Sequence, residues 1–594
     1  MTDPKATYQA RLKQFSEAAS LQKKRMRRIS LLRMTVFIGA CYMVYGALQG
    51  SLWHGAGALL MAGVFVYLVA RYQDLKYESK RLGELIRLNQ TELGVLKGNY
   101  SHLEDGAAFQ EADHAFAGDL DLFGPSSFFQ YINRTGLGSG AITLAHWLCS
   151  NDPSGVFSRQ EAIRELREQL DWRHDFTATA RLITAPLSAR DLTGWMHDYT
   201  PNIPTWLKNL PLAFSGLSLV SGFLVAFGVL PPAWLLVLFF TGLSITLPFA
   251  KKIGRLATLT GKTQETFRQY RHLVGQVEAH TFYSERLKDL KAQLGGTDRS
   301  VSAILDQFSR LIGALDQRNN LLVAVFANAF FLWDLRQAYA VEQWIGTYGN
   351  RTREWFEALA GFDAWNSLSN FAYNHSTYAF PEITKSKDLA MEARYLAHPL
   401  LKGKVVCNDI RIEKGHFMVI TGANMAGKST FLRAVSLSVL MANCGLPVCA
   451  EEMFYSPMPL ITSMRTTDSL SRQESYFFAE LKRLKVIVDH LKEGPYFVVL
   501  DEILKGTNSK DKARGSKEFL ARLLRMDATG LIATHDLSLC EVAALQPEVE
   551  NYFFDVEIRE GQLFFDYRLK PGVCSNMNAS FLLRKMGVVE GESQ

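Results

Sequence analysis

No Cys-x-x-Cys pair occurs in this chain, and its seven cysteines, at 41, 149, 407, 444, 449, 540 and 574, are odd in number and widely spaced. The nearest two, Cys444 and Cys449, lack a second pair at zinc-ligand spacing. Neither a zinc site nor a disulfide framework is expected, and reduced, mostly buried thiols are. Proline is scarce, 18 among 594 residues, and glycine has no three-residue period, which excludes a collagen-like chain. Low-complexity segments and internal repeats are absent, so a solenoid is excluded as well. No charge sign dominates: 65 Lys and Arg against 59 Asp and Glu leave a net of +6. That mild bias permits contact with nucleic acid or acidic lipid and requires neither. Aromatics at 12% are too many for a disordered chain. The length calls for roughly three or four domains.

Charge is missing altogether from two stretches. Met34 to Ala70, 37 residues, has no Asp, Glu, Lys or Arg, and neither has Asn209 to Ala250, 42 residues. One bilayer crossing takes about 20 residues, so each stretch suffices for two crossings and a tight turn. Gln49-Gly50-Ser51 divides the first and Pro231-Pro232 the second. Lys23, Lys24, Arg25, Arg27, Arg28 and Arg33 precede the first pair, and Arg71, Lys76, Lys80 and Arg81 follow it. Lys208 precedes the second, and Lys251, Lys252 and Arg255 follow. The turns carry no Lys or Arg. The positive-inside rule then predicts an integral protein of the inner or plasma membrane, with both termini and residues 71–208 in the cytoplasm. The cluster at 23–28 is suited to anionic lipid headgroups.

Between and after these stretches the pattern is helical. Leu75, Leu82, Leu85, Leu93 and Leu96 mark one face of a helix over 73–100. Residues 128–200 read as helices broken at Gly136-Leu137-Gly138 and Asp152-Pro153, and 256–375 as long helices with few breakers. Leu321 to Trp333, 13 residues with Asn328 among them, is too short to cross a bilayer and predicts a buried helix. After about Pro381, short apolar runs alternate with helical segments, the pattern of an α/β domain with a mainly parallel sheet.

The run Phe417-Met418-Val419-Ile420 leads into Thr421-Gly422-Ala423-Asn424-Met425-Ala426-Gly427-Lys428-Ser429-Thr430, and a helix is predicted at once. Gly422, Gly427, Lys428 and Ser429 fit the phosphate-binding pattern G-x-x-x-x-G-K-[ST] in its strand-before, helix-after context. Its glycines let backbone N–H groups close round phosphate oxygens, and the helix N-terminus adds partial positive charge. Lys428 is placed to reach the β- and γ-phosphates, and Ser429 to ligate Mg²⁺. Residues 422 to 430 together form the candidate nucleotide-binding loop. A second apolar run ends in Asp501-Glu502, where Asp501 suits Mg²⁺ and Glu502 suits the attacking water. His535, after the next run, falls at the same sheet edge and is expected to sense the γ-phosphate. The catalytic candidates are therefore Glu502, His535 and Lys428.

These segments resemble the ATPase domain of the MutS family, a branch of the ABC-type ATPases. TGANMAGKST (421–430) is similar to the family's T-G-P-N-M-[GA]-G-K-S-T, with Ala423 in place of Pro. DSLSRQESYFFAEL (468–481), LDEILKGTNSKD (500–511), ATHDL (533–537) and FFDYRLKPGV (564–573) resemble later family segments. FGPSSFFQYINRTGLGSGAITLAHWL (123–148) resembles the start of the family's helical core. The resemblance implies ATP hydrolysis with Mg²⁺ in a head-to-tail homodimer, each ATP being completed by the partner's signature serine, here Ser475. It also implies that ATP moves the helices at 256–345 as levers.

Departures from the family are equally informative. About 120 residues ahead of the core hold the first apolar hairpin and the 73–100 helix, where the mismatch readers carry a mismatch-reading domain and a connector. Phe109-Gln110-Glu111 matches Phe-x-Glu without the family's flanking residues and is read as coincidence. Val405 stands where relatives often place an aromatic against adenine.

The expected fold is an α/β P-loop (ABC-type) ATPase domain joined to an all-α MutS-like core and lever region, with two transmembrane hairpins. Its divisions are a basic N-terminus (1–33), hairpin 1 (34–70), a helical linker and start of the core (71–208), hairpin 2 (209–250), lever and core helices (251–380) and the ATPase domain (381–594). The expected partners are ATP, a second copy of the chain, membrane lipid and duplex DNA, the last bound weakly and without mismatch specificity. An ABC-like ATP-driven membrane machine or transporter that does not act on DNA is the alternative. It lacks a Leu-Ser-Gly-Gly-Gln signature, since residues 470–474 read Leu-Ser-Arg-Gln-Glu.

Overall fold

A computed structural model describes residues 3–183, 194–261, 263–296, 298–401, 403, 405–423, 425–465, 476–559 and 562–574. Two long antiparallel helices open the chain, α1 (Pro4–Leu48) and α2 (Leu52–Val95). The Asp3 carboxylate accepts the Lys5 N–H at 3.0 Å and Pro4 opens the first turn, so α1 starts sharply. The pair reverses at Gln49-Gly50-Ser51, where Gly50 takes φ +91°. The sequence boundaries at 33 and 71 are not structural ones. Lys, Arg and Leu all sustain helix, so the helices run unbroken through the change from charged to uncharged residues.

Burial divides the pair instead. At its tip Leu48, Leu52 and Trp53 are 82%, 90% and 86% exposed, whereas Leu75, Leu82, Leu85 and Leu88 at its base are buried. A hydrogen-bonded chain seats the base. Tyr8 donates to Asn374 at 2.7 Å, Asn374 donates to Glu92 at 2.7 Å, and Glu92 pairs with buried Arg134. Among the described residues four helices are long and apolar enough to cross a membrane: Pro4–Leu48, Leu52–Val95, Thr205–Ala226 and Ala233–Gly261.

The helical body begins with Phe128–Ile132, Gly138–Cys149, Val156–Arg167 and Leu170–Arg181, broken before Gly138 and around Asp152-Pro153 as predicted and also at Glu168-Gln169, which was not. It continues after the second apolar hairpin through Gln264–Ala279 and Val301–Asp316 to Trp333–Asn374. That last helix has 42 residues, about 63 Å at 1.5 Å per residue, and its second half is buried nearly all round.

The run at 321–333 departs from expectation. Leu321–Phe331 is helical, but it lies along the second hairpin with Phe326 57% exposed. Its neighbours are the hairpin's apolar helices and Trp333–Asn374, and Phe331 is exposed as well. Gly242 permits the contact, since a Cβ there would stand 2.1 Å from the Ala329 carbonyl oxygen. The thiols also differ in part from expectation: none is in a disulfide, but Cys41 and Cys407 are exposed.

Among the described residues the α/β region holds ten strands. A four-stranded sheet, ordered β1-β5-β2-β3, joins β1 (Glu382–Ile383), β2 (Leu389–Leu396), β3 (Asn408–Glu413) and β5 (Glu452–Tyr455). The larger sheet is ordered β10-β9-β4-β8-β7-β6. It comprises β4 (Phe417–Gly422), β6 (Leu460–Ser463), β7 (Phe497–Asp501), β8 (Thr529–Ala533), β9 (Val549–Arg559) and β10 (Gln562–Pro571). All its pairings are parallel except β9–β10. β4 and β8 are buried at every residue, as strands covered on both faces must be. One contiguous apolar core runs from Phe116 in the helical body to Phe554 in this sheet.

Candidate functional site

Register explains why residues far apart in sequence meet. β8 lies between β4 and β7, with Ile420 level with Ala533 and Ala533 level with Asp501. The residues that follow each strand therefore emerge together at the carboxyl edge, where open α/β sheets bind ligands. β4 delivers Gly422 and the loop after it, β7 delivers Asp501 and Glu502, and β8 delivers Thr534 and His535.

The loop requires its glycines. Gly422 has φ +145°, and a Cβ on it would meet the Phe554 carbonyl oxygen at 2.6 Å. Gly427 has φ +106° and precedes the helix Lys428–Asn443, whose interior residues are almost all buried. Ala423, Met425 and Ala426 form the turn between them: Met425 is 76% exposed with φ +69°, and the Ala426 N–H donates to the Ala423 carbonyl at 3.3 Å. Ser429 and Thr430 lie exposed in the helix's first turn. Asn424 and Ser475 are outside the described residues.

Lys428 is buried, and its ammonium donates to the carbonyls of Gly422 and Ala423 at 2.8 and 3.1 Å. Burial lowers its pKa, and the charges of Asp501 and Glu502 oppose that shift. The Ser429 hydroxyl donates to Asp501 Oδ2 at 2.6 Å, while Asp501 Oδ1 is enclosed without a hydrogen-bond partner. Glu502 Oε1 lies 3.0 Å from His535 Nε2, and its Oε2 lies 3.4 Å from Lys505 Nζ. The His535 hydrogen bond, with Lys505 adding to it against the cost of burial, brings the Glu502 carboxyl down to about 2. His535 Nε2 also stands 3.2 Å from Lys428 Nζ. One nitrogen serves one of these neighbours at a time: protonated it donates to Glu502, and deprotonated it accepts from Lys428.

A cleft of about 450 Å³ opens beside the loop. Val405, Val406, His398 and Leu401 line one side, and Tyr567 lies against Gly427. Tyr567 was not singled out from the sequence. It sits where the β9–β10 register shifts, at φ +54°, a bulge with no local sequence sign that turns its ring toward the loop. Phe109 is half-buried and packs edge-on to Phe123 and Phe129, at 6.0 and 5.5 Å between ring centres. Among the described residues no cluster of three or more His, Cys, Asp or Glu could hold a metal.

Fold and site thus define an α/β domain attached to a helical body, with one lysine, one serine, two carboxylates and one histidine gathered at a parallel sheet's carboxyl edge. Residues 418–584 match the family model described as MutS domain V. The chain is 32% identical over 215 residues to the human protein "MutS protein homolog 4", a match covering 34% of this chain and 22% of that one. It is 33% identical over 236 residues to "DNA mismatch repair protein MutS" of Myxococcus xanthus, covering 38% and 26%. With the protein of the same name in Haloquadratum walsbyi it is 29% identical over 342 residues, covering 53% and 34%. These matches make the chain similar to MutS-family proteins, chiefly over its α/β region, and they span between about a fifth and a third of those relatives' lengths.

Proposed function

We propose that the chain is a membrane-anchored, MutS-like Mg²⁺-ATPase that works as a head-to-tail homodimer and couples ATP to movement of its helical body. The observation that carries this reading is the convergence of Lys428, the Ser429–Asp501 pair and the Glu502–His535 pair at one sheet edge. In this reading the Gly422–Gly427 backbone and Lys428 hold the phosphates. The serine hydroxyl and the free Asp501 Oδ1 are hard oxygen donors that suit Mg²⁺, which would neutralise phosphate charge. Glu502, held by His535 and Lys505, orients the attacking water or takes its proton. Tyr567 is the aromatic placed to cover the base. Ser475 of a second copy would complete the site.

Two of these relatives are named for DNA mismatch repair, and this chain is proposed to share a DNA association without mismatch reading. The four apolar helices support anchoring through two hairpins, with the ATPase domain and both termini cytoplasmic. The helices at 256–345 are the proposed levers, and Trp333–Asn374, which begins among them, leads on to the α/β region.

One observation favours a second reading, an ABC-like membrane machine: four candidate spans per chain would give eight in a dimer. The test is ATP hydrolysis by the detergent-solubilised full chain with Mg²⁺, with and without duplex DNA. Stimulation by duplex supports the DNA-associated reading. Indifference to duplex with stimulation by lipid supports the machine, and no hydrolysis under any condition contradicts both.

A further inference from the structure

A polar cleft of about 530 Å³ lies at the base of the first hairpin, between α2, the helix Leu170–Arg181 and the helix Gln264–Ala279. Its floor is the stacked pair Tyr77 and His272, 4.8 Å between ring centres. Four cations line it: Lys76, Lys80, Arg268 and Arg271. The lining carboxylates are already engaged, Asp74 with Arg71 at 3.9 Å and Glu265 with Arg268 at 3.9 Å. Arg271 is bound to Asp306. Lys76 and Lys80 are exposed and have no carboxylate at ion-pair distance among the described residues.

Position gives this cleft its meaning. Lys76 and Lys80 follow the last residue of the charge-free stretch, Ala70, by 6 and 10 positions on one unbroken helix. At 1.5 Å per residue they stand about 9 and 15 Å beyond the apolar segment. The polar headgroup layer occupies roughly the 5–8 Å outside the hydrocarbon on each side, so Lys76 lies at its inner boundary with the cytoplasm and Lys80 just below. Long lysine side chains extend upward from such positions. Gln22 donates to the Leu75 carbonyl at 3.3 Å, which brings Lys23 and Lys24 to the same height on α1.

Building on the membrane-anchored reading, we propose that this cleft binds the phosphate of an anionic phospholipid headgroup, held by Lys76 and Lys80 over the Tyr77–His272 floor. Its walls come from the helix leaving the first hairpin and from a helix that follows the second. A bound headgroup would therefore tie both to the membrane surface, and movement of the helical body would open or close the cleft.

The test is lipid retention by the full chain in detergent, read by native mass spectrometry with phosphatidylglycerol or phosphatidylcholine. Lys76→Gln/Lys80→Gln is compared with Lys385→Gln/Lys387→Gln, a control of equal charge on the α/β domain, after melting curves show both variants folded. The wild type should retain phosphatidylglycerol over phosphatidylcholine. The first variant should bind it roughly tenfold more weakly, and the control should match the wild type. Equal retention of the two lipids, or unchanged retention by Lys76→Gln/Lys80→Gln, overturns the proposal. So does binding of inorganic phosphate with no lipid preference, or of a duplex oligonucleotide in place of lipid. Alkaline washing of membranes reads anchoring separately. Chain released to the supernatant contradicts the anchored reading, whereas chain that stays without lipid preference contradicts the cleft alone.

Discussion

Glu502 occupies the left-handed region at φ +50°, a conformation that costs a non-glycine residue about 1–3 kcal/mol. Its backbone N–H donates to the Ala533 carbonyl at 2.8 Å, so the sheet itself holds the residue there. The carboxylate then meets His535 and Lys505 and remains charged at any physiological pH. Glu502→Gln should lower ATP turnover about 10²–10⁴-fold while affinity for a fluorescent ATP analogue is kept. Lys428→Ala should lower affinity itself, because it removes the cation that the loop carbonyls hold in place. Parental turnover by Glu502→Gln would mean that the water is handled by another group. Lys428, Ser429, Asp501, Glu502 and His535 were legible in sequence because each lies at or within a short loop of the end of an apolar strand, and parallel pairing sets strand ends level. Tyr567 was not, because its orientation arises from a register shift between two antiparallel strands.

Absence of charge marked both hairpins in the sequence, and their turns fall at the predicted Gly and Pro residues. Cysteine placed at Ser51, in a chain freed of Cys41, should react with an impermeant reagent from the outer face, and cysteine at Lys80 only after permeabilisation. The opposite pattern would invert the proposed orientation. Asp363 shows what sequence could not reveal at this scale. Fully enclosed in Trp333–Asn374, it accepts the N–H groups of Gly136 and Leu137 at 2.9 and 2.7 Å and so satisfies the start of the helix Gly138–Cys149. Nothing near residue 363 in the chain announces a partner more than two hundred positions away. Burial raises its pKa to about 7, with the two N–H groups opposing. A raised folded-state value means that its contribution is full below the ordinary carboxyl pKa and is lost as pH rises through about 7. Melting temperature in detergent should therefore fall between about pH 4 and pH 7 and level off above, and Asp363→Asn should flatten that fall. Parallel curves for the two proteins would contradict it.

At the scale of the whole molecule one continuous core joins the second apolar hairpin, the helical body and the α/β domain, while the base of the first hairpin packs in a separate cluster of Leu82, Leu85, Leu88 and Ala178. A change at the sheet edge therefore has packed side chains to act on as far as the second hairpin. Ahead of Phe123 the described residues form two long helices and a short connecting segment, with no compact domain to hold an aromatic wedge in a minor groove. DNA contact would then rest on Lys and Arg against phosphates, which carries no sequence information. Binding should weaken steeply with salt, with a log–log slope of about -0.9 per neutralised phosphate, and matched and G·T-mismatched duplexes should bind alike. A mismatch preference of about tenfold, or about 1.4 kcal/mol, would contradict this. The central claim, that one chain is both membrane-anchored and an ATPase, is tested most directly by Mg²⁺-dependent ATP hydrolysis in alkaline-washed membranes carrying the full chain. The account predicts turnover that stays with the washed membranes and is lost in Glu502→Gln. Turnover that washes into the supernatant, or that persists undiminished in Glu502→Gln membranes, would contradict it.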